Sequence, residues 1–120
     1  MNLTDQTVLV TGGCGFIGSN FVRYLHEHYP DTTIVNIDKL TYAGNPANLK
    51  DIESSDRYHF VHGTICDPGT VIDIFVEHRP EILVNFAAES HVDRSIGNPD
   101  DFIDTDIYGA YTLLEAARKQ

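Results

Sequence analysis

A glycine-rich turn and one later acidic residue form the most specific chemical pattern in this sequence. The run Gly12-Gly13-Cys14-Gly15-Phe16-Ile17-Gly18 matches GxxGxxG and, from Gly13, GxGxxG, and Asp38 lies twenty residues after Gly18. Glycines allow the backbone to approach a diphosphate, which the open N–H groups and positive end of a following helix would bind. A carboxylate at Asp38 would accept hydrogen bonds from ribose hydroxyls and repel a 2′-phosphate. The pattern therefore predicts a dinucleotide site that favours NAD.

Alternatives stay open at this motif. The glycines could serve chain reversal alone, and Asp38 could be a solvated loop carboxylate. Lys39 stands beside Asp38, and its cation would tolerate a phosphate.

A second group of polar residues follows the predicted fourth strand. Ala87 and Ala88 would permit close approach to a flat ligand, and residues 89–94 bring together Glu, Ser, His, Asp and Arg side chains. Ser90, His91 and Asp93 could suggest a hydrolase, but neighbours in one loop seldom reach triad geometry and the GxSxG motif is absent. The other interpretation is a polar surface loop with capping roles.

Metal and disulfide chemistry find little support in the spacing. The six histidines lack HExxH or CxxC partners, so we expect no metal site. Cys14 and Cys66 do not have the CxxC spacing, and in a reducing compartment two such cysteines are expected to be free thiols.

The charge balance narrows the class of partner. The 120 residues contain 8 basic and 18 acidic side chains, a net charge of −10, which argues against an electrostatic nucleic-acid binder. Apolar runs fall far short of the roughly 20 residues of a membrane helix, and the polar N-terminus lacks a signal-peptide pattern. We therefore expect no membrane association and a cytoplasmic location. A nucleotide is not excluded, because backbone amides rather than net charge would hold its phosphates.

The elements that must position these residues alternate along the chain. Short β-branched or apolar runs predict four strands, at residues 7–11, 33–38, 58–62 and 82–86, and the continuous apolar run at 7–11 is typical of a strand buried on both faces. Helical spacing of apolar residues predicts a first helix with Ile17, Phe21, Tyr24, Leu25 and His28. A second helix would begin at the cap pair Asp67-Pro68 and continue through Val71, Ile72, Phe75 and Val76. A third would begin at Asn98-Pro99 and continue through Phe102, Ile103, Ile107, Leu113, Leu114 and Ala117. A weaker helical signal surrounds Pro46, with Leu49 and Ile52 facing inward.

This alternation predicts an α/β fold with a Rossmann-like, doubly wound parallel sheet. Right-handed crossovers give the strand order 3-2-1-4 and a ligand crevice outside the carboxyl ends of the first and fourth strands. The loops at residues 12–18, 38–45, 63–67 and 87–98 meet there. We expect one domain over residues 1–120, truncated after the fourth strand and helix and therefore a fragment of a longer protein.

Three motifs together carry a family resemblance. Residues 11–18 resemble the TGGxGFIG opening of extended short-chain dehydrogenase/reductases, and residues 38–45 (DKLTYAGN) and 87–96 (AAESHVDRSI) are similar to those of dTDP-glucose 4,6-dehydratases. The resemblance implies a lyase that uses bound NAD as a transient oxidant. It would convert dTDP-glucose into a 4-keto-6-deoxy sugar nucleotide and water. Other NAD-dependent sugar-nucleotide epimerases or decarboxylases, and a non-catalytic nucleotide-binding module, are the alternatives.

The resemblance also implies roles for individual residues. Contacts with NAD would come from Gly12, Gly15, Phe16, Ile17, Gly18, Asp38, Lys39, Leu40, Thr41, Thr64, Ile65, Phe86, Ala87, Ala88, Glu89 and Thr105. Ser90 and His91 would contact the sugar nucleotide, and the complete enzyme would be a homodimer. No catalytic residue is expected here, because the Thr-Asp-Glu and Tyr-x-x-x-Lys groups of such enzymes are absent, so the chain itself should be inactive.

The chain departs from the usual pattern of these enzymes at three positions. Thr64 replaces an Asp that contacts adenine, which removes a hydrogen-bond acceptor. Asp106 replaces an Asn and adds charge near the cofactor pocket, whereas Cys14 is a tolerable replacement for alanine.

Overall fold

Four strands form one parallel sheet in the part of the chain that the structure describes. The structure is a computed structural model, and it describes residues 3–40, 45–87, 100 and 103–120. The strands are β1 (Thr7–Thr11), β2 (Thr33–Asp38), β3 (Tyr58–His62) and β4 (Ile82–Asn85). Their order is β3-β2-β1-β4, with every neighbouring pair parallel, which confirms the predicted 3-2-1-4 arrangement. Only the end of β4 differs, since the strand stops at Asn85 and not at residue 86.

Helices follow the strands, and α2 begins at its predicted cap. α1 covers Phe16–His28, a 3₁₀ turn covers Pro46–Leu49, and α2 covers Pro68–His78. Asp67 caps α2 by accepting a hydrogen bond from the Gly69 amide at 3.0 Å, and Pro68 occupies the first turn, where its missing N–H is not needed. The Asp67-Pro68 prediction is therefore confirmed.

The helices cover both faces of the sheet. On one face Ile34 and Val10 pack with Val22 and Leu25 of α1. On the other face the alternate strand positions pack against α2 and the last helix, α3 (Ala110–Arg118). Because successive side chains of a strand point to opposite faces, a strand buried on both faces is apolar along its whole length. The fold is accordingly the doubly wound, Rossmann-like α/β fold that the sequence predicts.

The buried face of α1 differs from the predicted spacing. Leu25 is buried, but Ile17 and Tyr24 are more than half exposed, and the inward face consists of Gly18, Ser19, Val22 and Leu25. Small residues occupy the first turn of this face because α1 begins in direct contact with the turn that follows β1. The apolar periodicity therefore located the helix correctly but misplaced its packing face.

The last helix also differs from the continuous helix that was predicted. Residues Ile103–Gly109 form a π-helix, which continues into α3. Ile103, Ile107 and Leu114 are exposed, and the inward positions are Thr105, Gly109, Thr112, Leu113 and Ala116. Gly109 packs so closely on Ile65 that a Cβ would overlap the isoleucine side chain. Small residues thus fill most of the inward positions, with Leu113 as the large apolar exception, and Ile103, Ile107 and Leu114 point outward. The predicted Asn98-Pro99 start lies outside the described residues.

The register brings three strands to a common edge. Thr11, the last residue of β1, pairs with Ile37 of β2 and with Asn85 of β4. The segments that follow β1, β2 and β4 therefore leave the sheet side by side. This edge is where doubly wound folds bind ligands.

Candidate functional site

The turn after β1 is built so tightly that three of its glycines, Gly12, Gly13 and Gly18, have no room for a side chain. Gly12 has φ of 68°, and a Cβ there would lie 2.8 Å from the Ala87 nitrogen. A Cβ on Gly18 would overlap the carbonyl oxygen of Gly12. Glycine at these positions lets the end of β4 and the first turn of α1 contact the turn. The requirement for glycine therefore comes in part from packing within the protein and not only from ligand approach.

Asp38, at the end of β2, contacts this turn directly. Its Oδ2 atom accepts a hydrogen bond from the Cys14 amide at 2.9 Å, and its Oδ1 atom accepts one from the Leu40 amide at 2.8 Å. The residue is only 9% exposed, so the alternative of a solvated loop carboxylate is wrong. Leu40 has a left-handed backbone, with φ of 57°, which turns the chain back toward the carboxylate. A carboxylate oxygen can accept more than one hydrogen bond, so Asp38 keeps acceptor capacity for a ligand.

The first amides of the turn are already used within the protein. Gly13 donates to the Oδ1 atom of Asn36 at 2.9 Å, Cys14 donates to Asp38, and Gly15 donates to the Gly12 carbonyl at 3.2 Å. The amides of Phe16 and Ile17, which open α1, form no hydrogen bond with any other residue of the described ranges. Gly15 at the N-cap also supplies no side-chain cap. An anion at this turn would therefore be held by the amides at the start of α1, where the helix dipole is positive.

Three asparagines that the sequence analysis did not select complete the support of the turn. The carbonyl of Cys14 accepts hydrogen bonds from the Asn45 amide at 3.0 Å and from the Asn48 side chain at 2.9 Å. Asn36 holds the preceding amide, that of Gly13. Its signal in the sequence is a lone amide within the apolar run of β2. Asn45 and Asn48 have no comparable signal, because polar residues are ordinary in loops.

The end of β4 lies against the same turn. The Thr11 hydroxyl donates to the Asn85 side chain and accepts a hydrogen bond from the Ala87 amide at 3.1 Å. The ring of Phe86 packs on Phe21 of α1, with 5.3 Å between ring centroids. Phe86 and Ala87 are therefore placed beside Gly12. The other predicted site residues of this segment, Ala88, Glu89, Ser90 and His91, lie outside the described residues, as does Thr41.

The remaining candidates follow β2 and β3 or belong to the π-helix. The Lys39 Nζ atom donates to the hydroxyl of Thr105 at 3.4 Å, which joins the end of β2 to the π-helix. The Thr64 hydroxyl accepts a hydrogen bond from the Cys66 amide at 3.1 Å. Ile65 is buried in the core beneath Gly109. The Ile65 side chain thus packs inside the domain, so any contact with a ligand would have to come from its backbone.

Burial keeps the nearby thiol and phenol protonated. Burial, assisted by the negative charge of Asp38, raises the pKa of Cys14 to about 11. Burial raises the pKa of Tyr58 to about 12. Both cysteines are free thiols, as predicted, and Cys14 is a neutral packing residue at neutral pH rather than a nucleophile. No group of residues that could hold a metal ion is found in the described ranges.

Comparison with known proteins gives consistent matches. The family model described as GDP-mannose 4,6 dehydratase matches residues 9–120. The dTDP-glucose 4,6-dehydratase of Escherichia coli is 54% identical over 112 residues, which cover 93% of this chain and 31% of that protein.

Solved structures show the same similarity. The dTDP-glucose 4,6-dehydratase DesIV of Streptomyces venezuelae, solved with NAD bound, superposes with a TM-score of 0.84 at 46% identity, covering 93% of this chain and 35% of that one. The UDP-glucose 4-epimerase of Thermotoga maritima, solved with UDP-glucose, gives a TM-score of 0.84 at 34% identity, covering 95% of this chain and 34% of that one. The chain thus spans about a third of the length of the proteins that it matches.

Proposed function

We propose a function from one premise: the chain belongs to the GDP-mannose 4,6 dehydratase family. Residues 1–120 are the NAD-binding domain of a sugar-nucleotide 4,6-dehydratase, a lyase whose substrate is dTDP-glucose. Among the solved structures, the identity of 46% to a dTDP-glucose 4,6-dehydratase, against 34% to a UDP-glucose 4-epimerase, favours dehydration over epimerisation. The epimerase is the second candidate, because its fold in this region is equally similar.

The observation that carries the proposal is the contact between Asp38 and the glycine-rich turn. The hydrogen bond of 2.9 Å from the Cys14 amide brings the carboxylate to the turn whose later amides are open. A dinucleotide needs this combination, since its diphosphate and adenosine ribose are adjacent groups of one molecule. Cys14 lies on the protein side of this contact, and Phe16 and Ile17 lie on the solvent side.

Different residues of the chain would bind different parts of NAD. The amides of Phe16 and Ile17 bind the diphosphate, and Asp38 accepts hydrogen bonds from the adenosine ribose. Lys39, Leu40, Thr41, Thr64 and Ile65 would border the adenosine, and Phe86, Ala87, Ala88 and Glu89 would lie toward the nicotinamide. Thr105 would lie beside the cofactor. Gly12, Gly15 and Gly18 keep the backbone of the turn close to the cofactor.

The chemistry follows from an oxidant held next to a sugar. NAD, when held by these residues, would supply reversible hydride transfer with the sugar. Ser90 and His91 are proposed to contact the sugar nucleotide. The residues that move protons in such enzymes have no counterpart here, since none of the six tyrosines has a lysine four residues later.

The test of this proposal is a titration of the purified protein by calorimetry with NAD, NADP and ADP-ribose. ADP-ribose should also bind, more weakly than NAD, because it keeps the diphosphate and adenosine contacts and lacks the nicotinamide. NADP should bind at least about ten-fold more weakly, since its 2′-phosphate would face the Asp38 carboxylate. Absence of heat with NAD, or equal affinity for NADP, would refute the proposed site.

Catalysis gives a separate test. Protein supplied with NAD and dTDP-glucose should yield no keto-sugar absorbance, because the proton-transferring residues are missing. Turnover would overturn that assignment.

The proposed assembly is a homodimer of the complete enzyme. Large apolar side chains are exposed at steps of four and three along the last helix, at Ile103 (53%), Ile107 (66%), Tyr111 (56%) and Leu114 (66%). A second copy of the helix would bury this stripe. Sedimentation of the complete enzyme should show a dimer. Leu114→Glu should dissociate this dimer, whereas the control Val76→Glu, on the exposed surface of α2, should leave it intact.

Location and other partners are also proposals. The described part of the chain has no helix with the length and apolar character needed to cross a membrane. The net charge of −10 opposes binding to nucleic acid. We place the protein in the cytoplasm, where its nucleotide substrate would be found.

A further inference from the structure

We propose that Asn36 and Tyr58 are positioning residues for the dinucleotide: through a buried chain of hydrogen bonds they fix the Gly13 peptide and so aim the amides that open α1. This inference rests on the proposed function and adds to it two residues, on β2 and β3, that lie behind the turn. Neither side chain would contact the cofactor.

The contacts define the direction of the chain of hydrogen bonds. Asn36 has no exposed surface, and its Oδ1 atom accepts the Gly13 amide at 2.9 Å. A backbone amide can only donate, so the other end of the Asn36 side chain must be the NH₂ group. That group donates to the Tyr58 hydroxyl oxygen at 3.0 Å, with the Cys14 sulfur at 3.5 Å as a weaker second partner. Tyr58 therefore determines where Asn36 points, and Asn36 determines where the Gly13 amide points.

An asparagine at this position needs a reason beyond packing. Ile34, Val35 and Ile37, its neighbours in β2, are all fully buried apolar residues. A buried amide is costly unless its hydrogen bonds are complete, and an apolar residue would pack here without that demand. What an apolar residue could not do is hold the Gly13 amide. The arrangement thus serves the geometry of the turn.

Adjacent contacts fix the rest of the same peptide segment. Asp38, two residues after Asn36 and on the same face of β2, holds the Cys14 amide. Asn45 and Asn48 hold the Cys14 carbonyl. Two consecutive amides and a carbonyl are therefore fixed before any ligand binds. A turn that is already ordered loses less conformational entropy when a diphosphate binds, and so binds it more tightly.

The experiment compares Tyr58→Phe with Thr32→Val. Tyr58→Phe keeps the ring and removes the acceptor of the Asn36 NH₂ group. Thr32→Val removes another hydroxyl hydrogen bond, that to the Leu3 carbonyl at 2.7 Å, at a fully buried residue that precedes β2, at the opposite end of the strand. Both variants should lower the urea midpoint by similar amounts. Only Tyr58→Phe should weaken NAD binding in calorimetry, by about five-fold, the effect of one net hydrogen bond. Unchanged affinity in Tyr58→Phe, or equal weakening in Thr32→Val, would overturn the proposal.

Amide hydrogen exchange in the wild-type protein provides a measurement that needs no variant. Without ligand, the Gly13 amide should be as protected as the amides of β1, while those of Phe16 and Ile17 exchange quickly and gain protection when NAD is added. Fast exchange at Gly13 would refute the positioning role even if NAD binds. A protected Gly13 in a protein that does not bind NAD would instead refute the proposed function.

Discussion

Replacing Asp38 with asparagine should destabilise the protein before any ligand is considered. Both carboxylate oxygens accept backbone amides, from Cys14 at 2.9 Å and from Leu40 at 2.8 Å. An asparagine side chain has one acceptor oxygen and one NH₂ donor of the same shape. Whichever way it is oriented, one of the two backbone amides faces a donor.

The size of the effect follows from the bonds that are lost. A hydrogen bond to a charged group contributes about 1.5–3 kcal/mol to stability, against about 1 kcal/mol for a neutral one. Asp38→Asn loses one charged bond, weakens the other to a neutral bond and leaves a buried donor unpaired. We expect the free energy of unfolding to fall by about 3 kcal/mol. NAD affinity should also fall, and Asp38→Ala should weaken NAD binding by about 1–3 kcal/mol.

Urea unfolding at pH 7, followed by circular dichroism, measures the stability change. The matched control is Asp73→Asn, which makes the same change at an exposed carboxylate on α2 and should alter stability by less than about 0.5 kcal/mol. A midpoint for Asp38→Asn equal to that of the wild type would refute the assigned hydrogen bonds. Unchanged NAD affinity in a folded Asp38→Ala variant would remove Asp38 from the ribose role.

Three further predictions test other parts of the structure. Gly18→Ala should lower the free energy of unfolding in urea by at least about 2 kcal/mol, because the new methyl group overlaps the turn. The control Gly69→Ala should be neutral or stabilising, since the nearest atom to its new methyl group lies at 3.4 Å. Equal effects of the two substitutions would contradict the close approach of α1. Arg57→Met should lower the thermal midpoint by several degrees, because the Arg57 guanidinium donates to three backbone carbonyls near the end of α1. The control Arg79→Met, at an exposed position, should leave the midpoint unchanged. Equal midpoints for the two variants would argue against the guanidinium contacts. Burial raises the pKa of Cys14 from its ordinary value of 9.0 to about 11 in the folded protein. The stability that the buried neutral thiol contributes is therefore fully present below about pH 9 and is lost as the pH rises to about 11. That loss should reach about 2–3 kcal/mol in urea unfolding at alkaline pH and be smaller in Cys14→Ala; identical pH profiles would refute the buried neutral thiol.

Local patterns in the sequence determined the elements and their order. Short β-branched or apolar runs followed by turn signals located β1, β2 and β3 to the residue, and Asp67-Pro68 located the start of α2. These features are readable because strand burial and helix capping depend on residues close together in the chain. The strand order followed from the handedness of parallel crossovers. The glycines and Asp38 were also visible, since their spacing reflects a recurring turn.

The tertiary structure alone decided which partners these residues meet. The hydrogen bond from Gly13 to Asn36 joins residues 23 positions apart, and the contact between Lys39 and Thr105 joins residues 66 apart. Such pairs leave no periodic trace in the chain. The buried faces of α1 and of the last helix were misjudged in part for the same reason. Leu25 and Leu113 are buried as predicted, but Ile17 and Leu114 are exposed, because small residues such as Gly18 and Gly109 face inward where neighbouring segments pack closely. Hydrophobicity predicts which segments are buried, but the distance between packed backbones decides which side chains fit between them.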